Sequence, residues 1–131
     1  MPADRVAGKT GVVFFAHGSP IESANEGVRL VAREAAAQGG FELWEAAFLE
    51  GGSPDLAGAV ARLTAAGAGR IVVVPYFLTL GLHLQRDLPR IVAGLSGIYQ
   101  DTEIVCGDPL DGHPALPGIL AERARQALSR S

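Results

Sequence analysis

The chain has 131 residues, of which 48% are hydrophobic and 19% charged, so it can form a folded core and is too apolar for a disordered chain. Its 11 basic and 14 acidic residues give a net charge of −3, which argues against a general surface for nucleic acids or anionic membranes. The single cysteine, Cys106, excludes an intrachain disulfide and a cysteine-rich zinc site. Its apolar neighbours Ile104 and Val105 predict a buried thiol.

The chain shows no targeting or membrane segment. Residues 1–10 are expected to form a loose leader, because they lack the apolar core of a signal peptide. No run approaches the roughly 18 apolar residues of a membrane span. We therefore expect one domain over residues 1–131, working in the cytoplasm and away from membranes.

Four apolar runs, each followed by a helical pattern, predict four strand-then-helix units. The strands are expected at about 11–16, 41–48, 70–74 and 103–106. Pro75 is expected to end the pairing of the third strand, because proline cannot donate to a ladder.

Capping signals predict where the helices begin. The first is expected to open with a capping box, Ser23 to Glu26, and the second with Ser53 as N-cap. In the third, Asp87 is the expected cap, with Pro89 in the first turn. Apolar residues at helical spacing predict which side of each helix is buried. The predicted buried residues are Ala24, Val28, Val31 and Ala35 in the first helix, and Leu56, Val60 and Leu63 in the second. In the third they are Leu88, Ile91, Val92 and Leu95, and in the last Leu116, Ile119, Leu120, Ala124 and Leu128.

These units predict an α/β three-layer sandwich of the flavodoxin-like type, with helices on both faces of a four-stranded parallel sheet. The first and third strands are the most apolar and should be central, which gives the order 2-1-3-4 with right-handed crossovers. In this order, the direction in which successive strands are added to the sheet reverses between strands one and three. Open α/β sheets bind their ligands at such a switch point, outside the carboxyl ends of the strands.

Two histidines and a glutamate are expected on that edge of the sheet. His17 ends the first strand, His83 follows the third, and Glu50 follows the second. Two neutral imidazoles and one carboxylate, with positions left open, suit a divalent metal such as cobalt, iron, nickel or zinc. The alternative from the same pattern is a set of hydrogen-bonded loop residues.

Other candidates carry weaker signals. Ser19 lies beside His17, but adjacent residues seldom form a nucleophile–base pair and no Gly-x-Ser-x-Gly elbow is present. No phosphate-binding glycine motif follows the first strand. His113 precedes a helix and is interpreted as a capping or packing residue. Arg86 and Arg90, one helical turn apart, suit substrate carboxylates or a solvated helix face equally well.

Five short motifs, in order over about residues 11–128, resemble the CbiX/SirB class of sirohydrochlorin chelatases, the class II chelatases of tetrapyrrole biosynthesis. The motifs are Ala16-His17-Gly18-Ser19, Phe48-Leu49-Glu50, Val73-Val74-Pro75-Tyr76-Phe77-Leu78, Gly81 to Pro89, and Gly112-His113-Pro114-x-Leu116. One departure is Pro20, where the family often has an arginine that follows the serine.

The resemblance implies insertion of cobalt, or of iron or nickel, into sirohydrochlorin, on the way to cobalamin or siroheme. His17 and His83 correspond to the family's metal-binding, catalytic histidines, and Glu50 to the acidic residue that assists them. No cofactor is implied beyond the substrate metal (Co²⁺, Fe²⁺ or Ni²⁺). The short chain resembles the single-unit form, which works as a homodimer. The partners implied are therefore the tetrapyrrole, the metal and a second copy, with no nucleic acid or membrane.

Two alternatives remain on the sequence alone. One is a non-catalytic carrier of metal or tetrapyrrole on the same fold, and the other is a flavodoxin-like module that binds a partner. In the carrier His17 and His83 would hold the metal without accelerating its insertion, and in the module the histidines would be incidental.

Overall fold

The computed structural model describes residues 9–78 and 81–130. Four strands alternate with four helices in these ranges, in the order β1 (Lys9–Ala16), α1 (Glu22–Gly39), β2 (Leu43–Phe48), α2 (Leu56–Ala65), β3 (Ala68–Tyr76), α3 (Leu82–Ile98), β4 (Glu103–Cys106) and α4 (Leu116–Arg130). Most of the predicted leader, residues 1–8, lies outside the described residues, while Lys9 and Thr10 already belong to β1. No helix within the described ranges is long and apolar enough to cross a bilayer.

The sheet is parallel throughout and has the predicted order β2-β1-β3-β4. The central strand β1 pairs with β2 from Gly11 to Ala16 and with β3 along its whole length. Both its faces are covered, since Val13 and Phe15 on one face are at most 1% exposed, and Val12 and Ala16 on the other are at most 4% exposed. The continuous apolar run therefore marks a central strand, as expected for a parallel sheet.

The core lies mainly on the face of the sheet that α2 and α3 cover. Val13, Phe15 and Ile71 on the strands pack there against the buried stripes of α2 and α3, which are Leu56, Val60 and Leu63, and Leu88, Val92 and Leu95. The predicted stripes of these helices are thus confirmed, except that Ile91 is partly exposed at 38%.

The opposite face is covered by α1 over β1 and β2. Over β3 and β4 the same face is partly open, since Val72 and Val74 are half-buried and Val105 is 39% exposed. The last helix, α4, has no buried residue, so the buried stripe predicted for it was wrong; its members were Leu116, Ile119, Leu120, Ala124 and Leu128.

The start of α1 differs from the predicted capping box. The helix begins at Glu22, one residue before Ser23, and its N-cap, Ile21, has no side-chain bond. The turn before it is closed instead by the hydroxyl of Ser19, which accepts a hydrogen bond from the Ile21 N–H at 3.0 Å. The local turn therefore starts the helix earlier than the Ser-x-x-Glu pattern indicates.

The buried stripe of α1 is also displaced from the prediction. Asn25, Ala32 and Ala36 are each 1% exposed, whereas Val31 is 46% exposed. This register turns the small alanines toward the sheet, where they allow close packing against Phe48. Of the expected stripe, Val28 packs partly buried against this cluster and Ala35 is half-buried, whereas Ala24 and Val31 are exposed.

The N-cap of α2 is Asp55 rather than Ser53. The Asp55 carboxylate accepts a hydrogen bond from the Gly58 N–H at 2.8 Å. Ser53 and Pro54 lie in the turn before the helix, which begins at Leu56. The predicted cap was displaced by two residues for this reason.

Two prolines lie inside elements that they were expected to bound. Pro75 stays opposite Phe15 of β1, and β3 runs on to Tyr76, although its pairing with β4 ends at Val73. Pro89 lies in the interior of α3, which begins at Leu82 with Gly81 as N-cap. The third helix therefore begins before Asp87, the predicted cap.

Cys106 is exposed, contrary to the expected buried thiol. It is the last residue of the edge strand β4, opposite Val73, where the chain leaves the sheet. Its apolar neighbours therefore do not place it in the core.

Candidate functional site

His17 stands where β1 ends, on the edge of the sheet formed by the carboxyl ends of the strands. Its side chain is 61% exposed. Among the described residues, the ring has one hydrogen-bond contact, and it is a long one of 3.4 Å from Nδ1 to the carbonyl oxygen of Gly18. The Nε2 side of the imidazole is therefore available to solvent and to a ligand.

Glu50 lies directly beside His17, as the neighbouring strand ends predicted. Its Oε2 is 3.7 Å from His17 Nε2, and its side chain is 68% exposed. Two backbone hydrogen bonds continue the pairing of β1 and β2 up to these two residues. The Leu49 N–H donates to the Ala16 carbonyl at 2.9 Å, and the Glu50 N–H donates to the His17 carbonyl at 3.0 Å.

Two glycines let the loops that carry the pair approach each other. Gly18 has φ +88°, and a Cβ there would overlap the carbonyl oxygen of Glu50. Gly51 has φ +74°, and a Cβ there would lie 2.7 Å from the carbonyl group of Ser19. These positions favour glycine on both conformational and steric grounds. The loop after β1 and the loop after β2 can therefore lie in close contact at Gly18 and Gly51.

Phe77 brings the connection after β3 to the same edge. Its ring meets the imidazole of His17 edge-on, with the ring centres 6.2 Å apart, and meets Phe15 at 5.9 Å. Leu78 follows and is 68% exposed. An apolar border thus lies beside His17, as expected for the stretch that begins at Tyr76.

His83 lies in the first turn of α3 and is exposed. It follows residues 79 and 80, which lie outside the described residues. Within the described ranges, no group of three His, Cys, Asp or Glu side chains is close enough together to hold a metal. The structure therefore brings His17 and Glu50 together and does not add His83 to them, and the role of His83 stays a prediction.

Two other candidates have local structural roles. The Nδ1 of His113 accepts a hydrogen bond from the Ala115 N–H at 3.0 Å, in the turn that leads to α4, which agrees with the capping interpretation. The Ser19 hydroxyl closes the turn before α1. Neither group is hydrogen-bonded to the side chain of His17 or Glu50 in the described part of the chain.

The predicted arginines Arg86 and Arg90 lie on α3 and are exposed. Neither forms an ion pair with another residue of the described part of the chain. Their guanidinium groups are therefore available for anions in solution.

Asn25 is a residue of this site that the sequence pattern did not single out. Its amide is buried in α1 and contacts the loops that carry both His17 and Glu50. The available signal was its spacing of seven and eleven residues from Ala32 and Ala36, which puts a polar side chain on the buried stripe.

The His17–Glu50 pair has nearly the spacing of two ligands on one metal ion. Atoms bound to a metal at about 2.1 Å stand roughly 3.0–3.4 Å apart in octahedral or tetrahedral geometry. The observed 3.7 Å would close to this range with a few tenths of an ångström of side-chain movement. One imidazole and one carboxylate leave several metal positions open, which suits an ion that must be passed on.

Comparison with known proteins gives matches over most of the chain. The sequence pattern of the CbiX family matches residues 11–127. A sirohydrochlorin cobaltochelatase of Saccharolobus islandicus is 32% identical over 129 residues, covering 92% of this chain and 98% of its own. A putative cobalamin biosynthesis CbiX protein from Marinobacter aquaeolei VT8 has a crystal structure with a TM-score of 0.82, 26% identity and coverage of 93% and 99% of the two chains.

A longer protein shares the fold over part of its length. The sirohydrochlorin chelatase SirB from Bacillus subtilis subspecies spizizenii, crystallised in complex with cobalt, has a TM-score of 0.71 and 26% identity. The match covers 77% of this chain but only 43% of SirB. The present chain thus corresponds to less than half of that protein.

Proposed function

This chain belongs to the CbiX family, and we propose that it is a chelatase that inserts a divalent metal ion, cobalt in the first place, into sirohydrochlorin. The observation that carries the proposal is the exposed His17–Glu50 pair, whose Nε2 and Oε2 atoms are 3.7 Å apart at the switch point of the sheet. Iron and nickel remain alternatives, because imidazole and carboxylate ligands bind all three ions.

The reaction requires the metal to enter the macrocycle while two protons leave the pyrrole nitrogens. In the proposal His17 and Glu50 hold the ion on the open edge of the sheet, with His83 as a third ligand that approaches from α3. Because few ligands come from the protein, the ion keeps positions for the substrate nitrogens. The carboxylate of Glu50 or a neutral imidazole accepts the protons.

The surroundings of the pair fit a flat, acidic substrate. The exposed side chain of Leu78 and the ring of Phe77 offer an apolar border on which the macrocycle can lie. The substrate carboxylates then remain in water or meet Arg86 and Arg90. With Pro20 where the family often has an arginine, these two arginines are the cations that we expect to replace it.

The test is the absorbance of sirohydrochlorin, followed with cobalt, iron or nickel, for the wild type and for His17→Ala and His83→Ala. We expect metal-dependent conversion by the wild type and at least about a hundredfold loss in both variants, in the range of removing a principal catalytic group. His113→Ala is the matched control, because within residues 9–78 and 81–130 the side chain of this histidine bonds only in the turn before α4.

Three results would contradict the proposal. Metal and tetrapyrrole binding without conversion would indicate the carrier, and neither binding nor conversion would leave the partner-binding module. Full conversion by His17→Ala would show that the pair is not the site.

We further propose that the enzyme works as a homodimer in the cytoplasm, with two copies facing each other across the site and enclosing the tetrapyrrole. The chain corresponds to 43% of SirB, so a second copy would supply a comparable amount of structure. The uncovered face of β3 and β4 and the exposed helix α4 give a second copy apolar surface to cover. Sedimentation that shows only monomer at working concentration would contradict the dimer.

A further inference from the structure

Asn25 is the most deeply buried polar side chain among the described residues, with 1% of its surface exposed. It lies in the first turns of α1, on the side that faces the sheet. A buried amide is costly unless its donors and acceptor are satisfied, so its partners show what it holds in place.

The partners of Asn25 belong to both loops of the site. Its Oδ1 accepts a hydrogen bond from the Ser19 N–H at 3.0 Å. Its Nδ2 donates to the Ser19 carbonyl at 2.8 Å and to the Gly51 carbonyl at 3.1 Å. Only this orientation of the amide matches a donor to each carbonyl and the acceptor to the N–H. The same nitrogen also lies 3.3 Å from Glu22 Oε1, which is the longest of these contacts.

The two loops carry the metal-binding pair of the proposed function. Ser19 is two residues after His17, and Gly51 directly follows Glu50. One amide therefore joins the two loops just beyond the pair, while the bond from the Glu50 N–H to the His17 carbonyl joins them at the pair itself. Together they fix how far apart the two backbones stand.

The side chains of the pair have little else to fix them. They are 61% and 68% exposed, and the ring contact of His17 with Phe77 is at its edge. The separation of Nε2 and Oε2 consequently depends on the spacing of the backbones beneath them.

We propose that Asn25 is a positioning residue, which sets the distance between His17 and Glu50 by tying their loops together. It touches neither the metal nor the substrate and acts through these two side chains. The inference rests on the proposed function for its meaning, but the tie itself can be measured without metal.

The first measurement is amide hydrogen exchange in the metal-free protein. Asn25→Asp keeps the size of the side chain and the acceptor for the Ser19 N–H, but places a carboxylate against two carbonyls. We expect exchange at Ser19 and Glu50 to accelerate at least about tenfold, while the amides of α3 keep their protection. Asn25→Ser, which retains one hydroxyl in place of the amide, serves if the aspartate variant does not fold. Unchanged exchange at both sites would overturn the proposal.

The second measurement is a double-mutant cycle on cobalt affinity with Asn25→Asp and Glu50→Gln. We expect each single change to weaken binding by about tenfold, and the second change to add less than about twofold in the presence of the first. A merely structural role predicts that the two effects multiply, and that result would overturn the proposal.

Thr102→Val is the matched control, because Thr102 is the other buried polar residue in the described ranges and precedes β4, at the opposite edge of the sheet. We expect it to leave both the exchange at Glu50 and the cobalt affinity unchanged. If His17→Ala binds cobalt as tightly as the wild type, the proposed metal site fails, and the exchange result alone then decides whether Asn25 ties the loops.

Discussion

At the scale of single residues, the site depends on a backbone conformation and a close contact between loops that favour glycine. Gly18 combines a left-handed φ of +88° with a position where any Cβ would overlap the Glu50 carbonyl oxygen. The histidine and the glutamate were predictable, because they follow neighbouring strands. The 3.7 Å spacing of their side chains was not predictable, because it depends on contacts between two loops, and His17 and Glu50 are 33 residues apart in the sequence.

Gly18→Ala is expected to lower the free energy of unfolding by at least about 2 kcal/mol, since the substitution adds both backbone strain and a clash with backbone. Gly27→Ala is the control. Gly27 is an interior residue of α1 with open space around it, so alanine there should raise the free energy of unfolding by about 0.5–1 kcal/mol. Urea unfolding measures both, and equal effects of the two variants would contradict the loop contact.

The reactivity of the Cys106 thiol at different pH values tests how its surroundings affect its pKa. Partial burial at the end of β4 raises the pKa of the Cys106 thiol, and the carboxylate of Asp108 raises it further. A raised pKa lowers the fraction of thiolate at neutral pH, so the exposed thiol should react slowly with a disulfide reagent and faster as the pH increases. Asp108→Asn should increase the rate at pH 7 a few-fold. Asp111→Asn is the control, and an equal increase there would contradict a specific effect of Asp108.

At the scale of elements, the strands were predicted better than the starts of the helices. The apolar runs that form β1 and β3 are long and unambiguous, and the order β2-β1-β3-β4 follows from which runs are most apolar. Helix starts depend on turns whose partners are distant or whose geometry is not local. Ser53 is an example, because it lies in the turn before α2 and the side chain that caps the helix is that of Asp55.

The cap of α2 is directly testable. Asp55→Ala removes the acceptor of the Gly58 N–H and should lower the free energy of unfolding by about 1 kcal/mol. Ser53→Ala, at the position that the sequence pattern favoured, should change it by less than about 0.5 kcal/mol. Thermal or urea unfolding of the two variants decides between the caps, and a larger effect of Ser53→Ala would contradict the structure.

At the scale of the whole molecule, the sequence alone did not correctly predict whether the apolar side of α4 is buried in the chain's own core. It carries apolar residues at positions Leu116, Leu120 and Ala124, as expected, yet none of its residues is buried. A helix of 15 residues is marginally stable by itself, so its apolar side should be covered when the protein works. The single-domain organisation of the chain likewise remains a prediction.

The proposed dimer predicts that a second copy covers α4. Leu120 is 68% exposed, and Leu120→Glu should shift the protein from dimer to monomer, because it would bury a charge in the interface. Gln126→Glu adds the same charge on the polar side of the helix and should leave the dimer intact. Sedimentation velocity separates the two states. If Leu120→Glu sediments like the wild type, α4 is not part of the interface.

The central claim is that this chain catalyses metal insertion rather than only holding the metal. The most direct measurement uses sirohydrochlorin and Co²⁺ in about hundredfold excess over protein and counts the tetrapyrroles metallated per chain from the absorbance change. A chelatase with an open His17–Glu50 pair should convert many substrate molecules per chain, faster than the protein-free solution. Conversion that stops at one per chain, or that proceeds at the protein-free rate, would contradict the account.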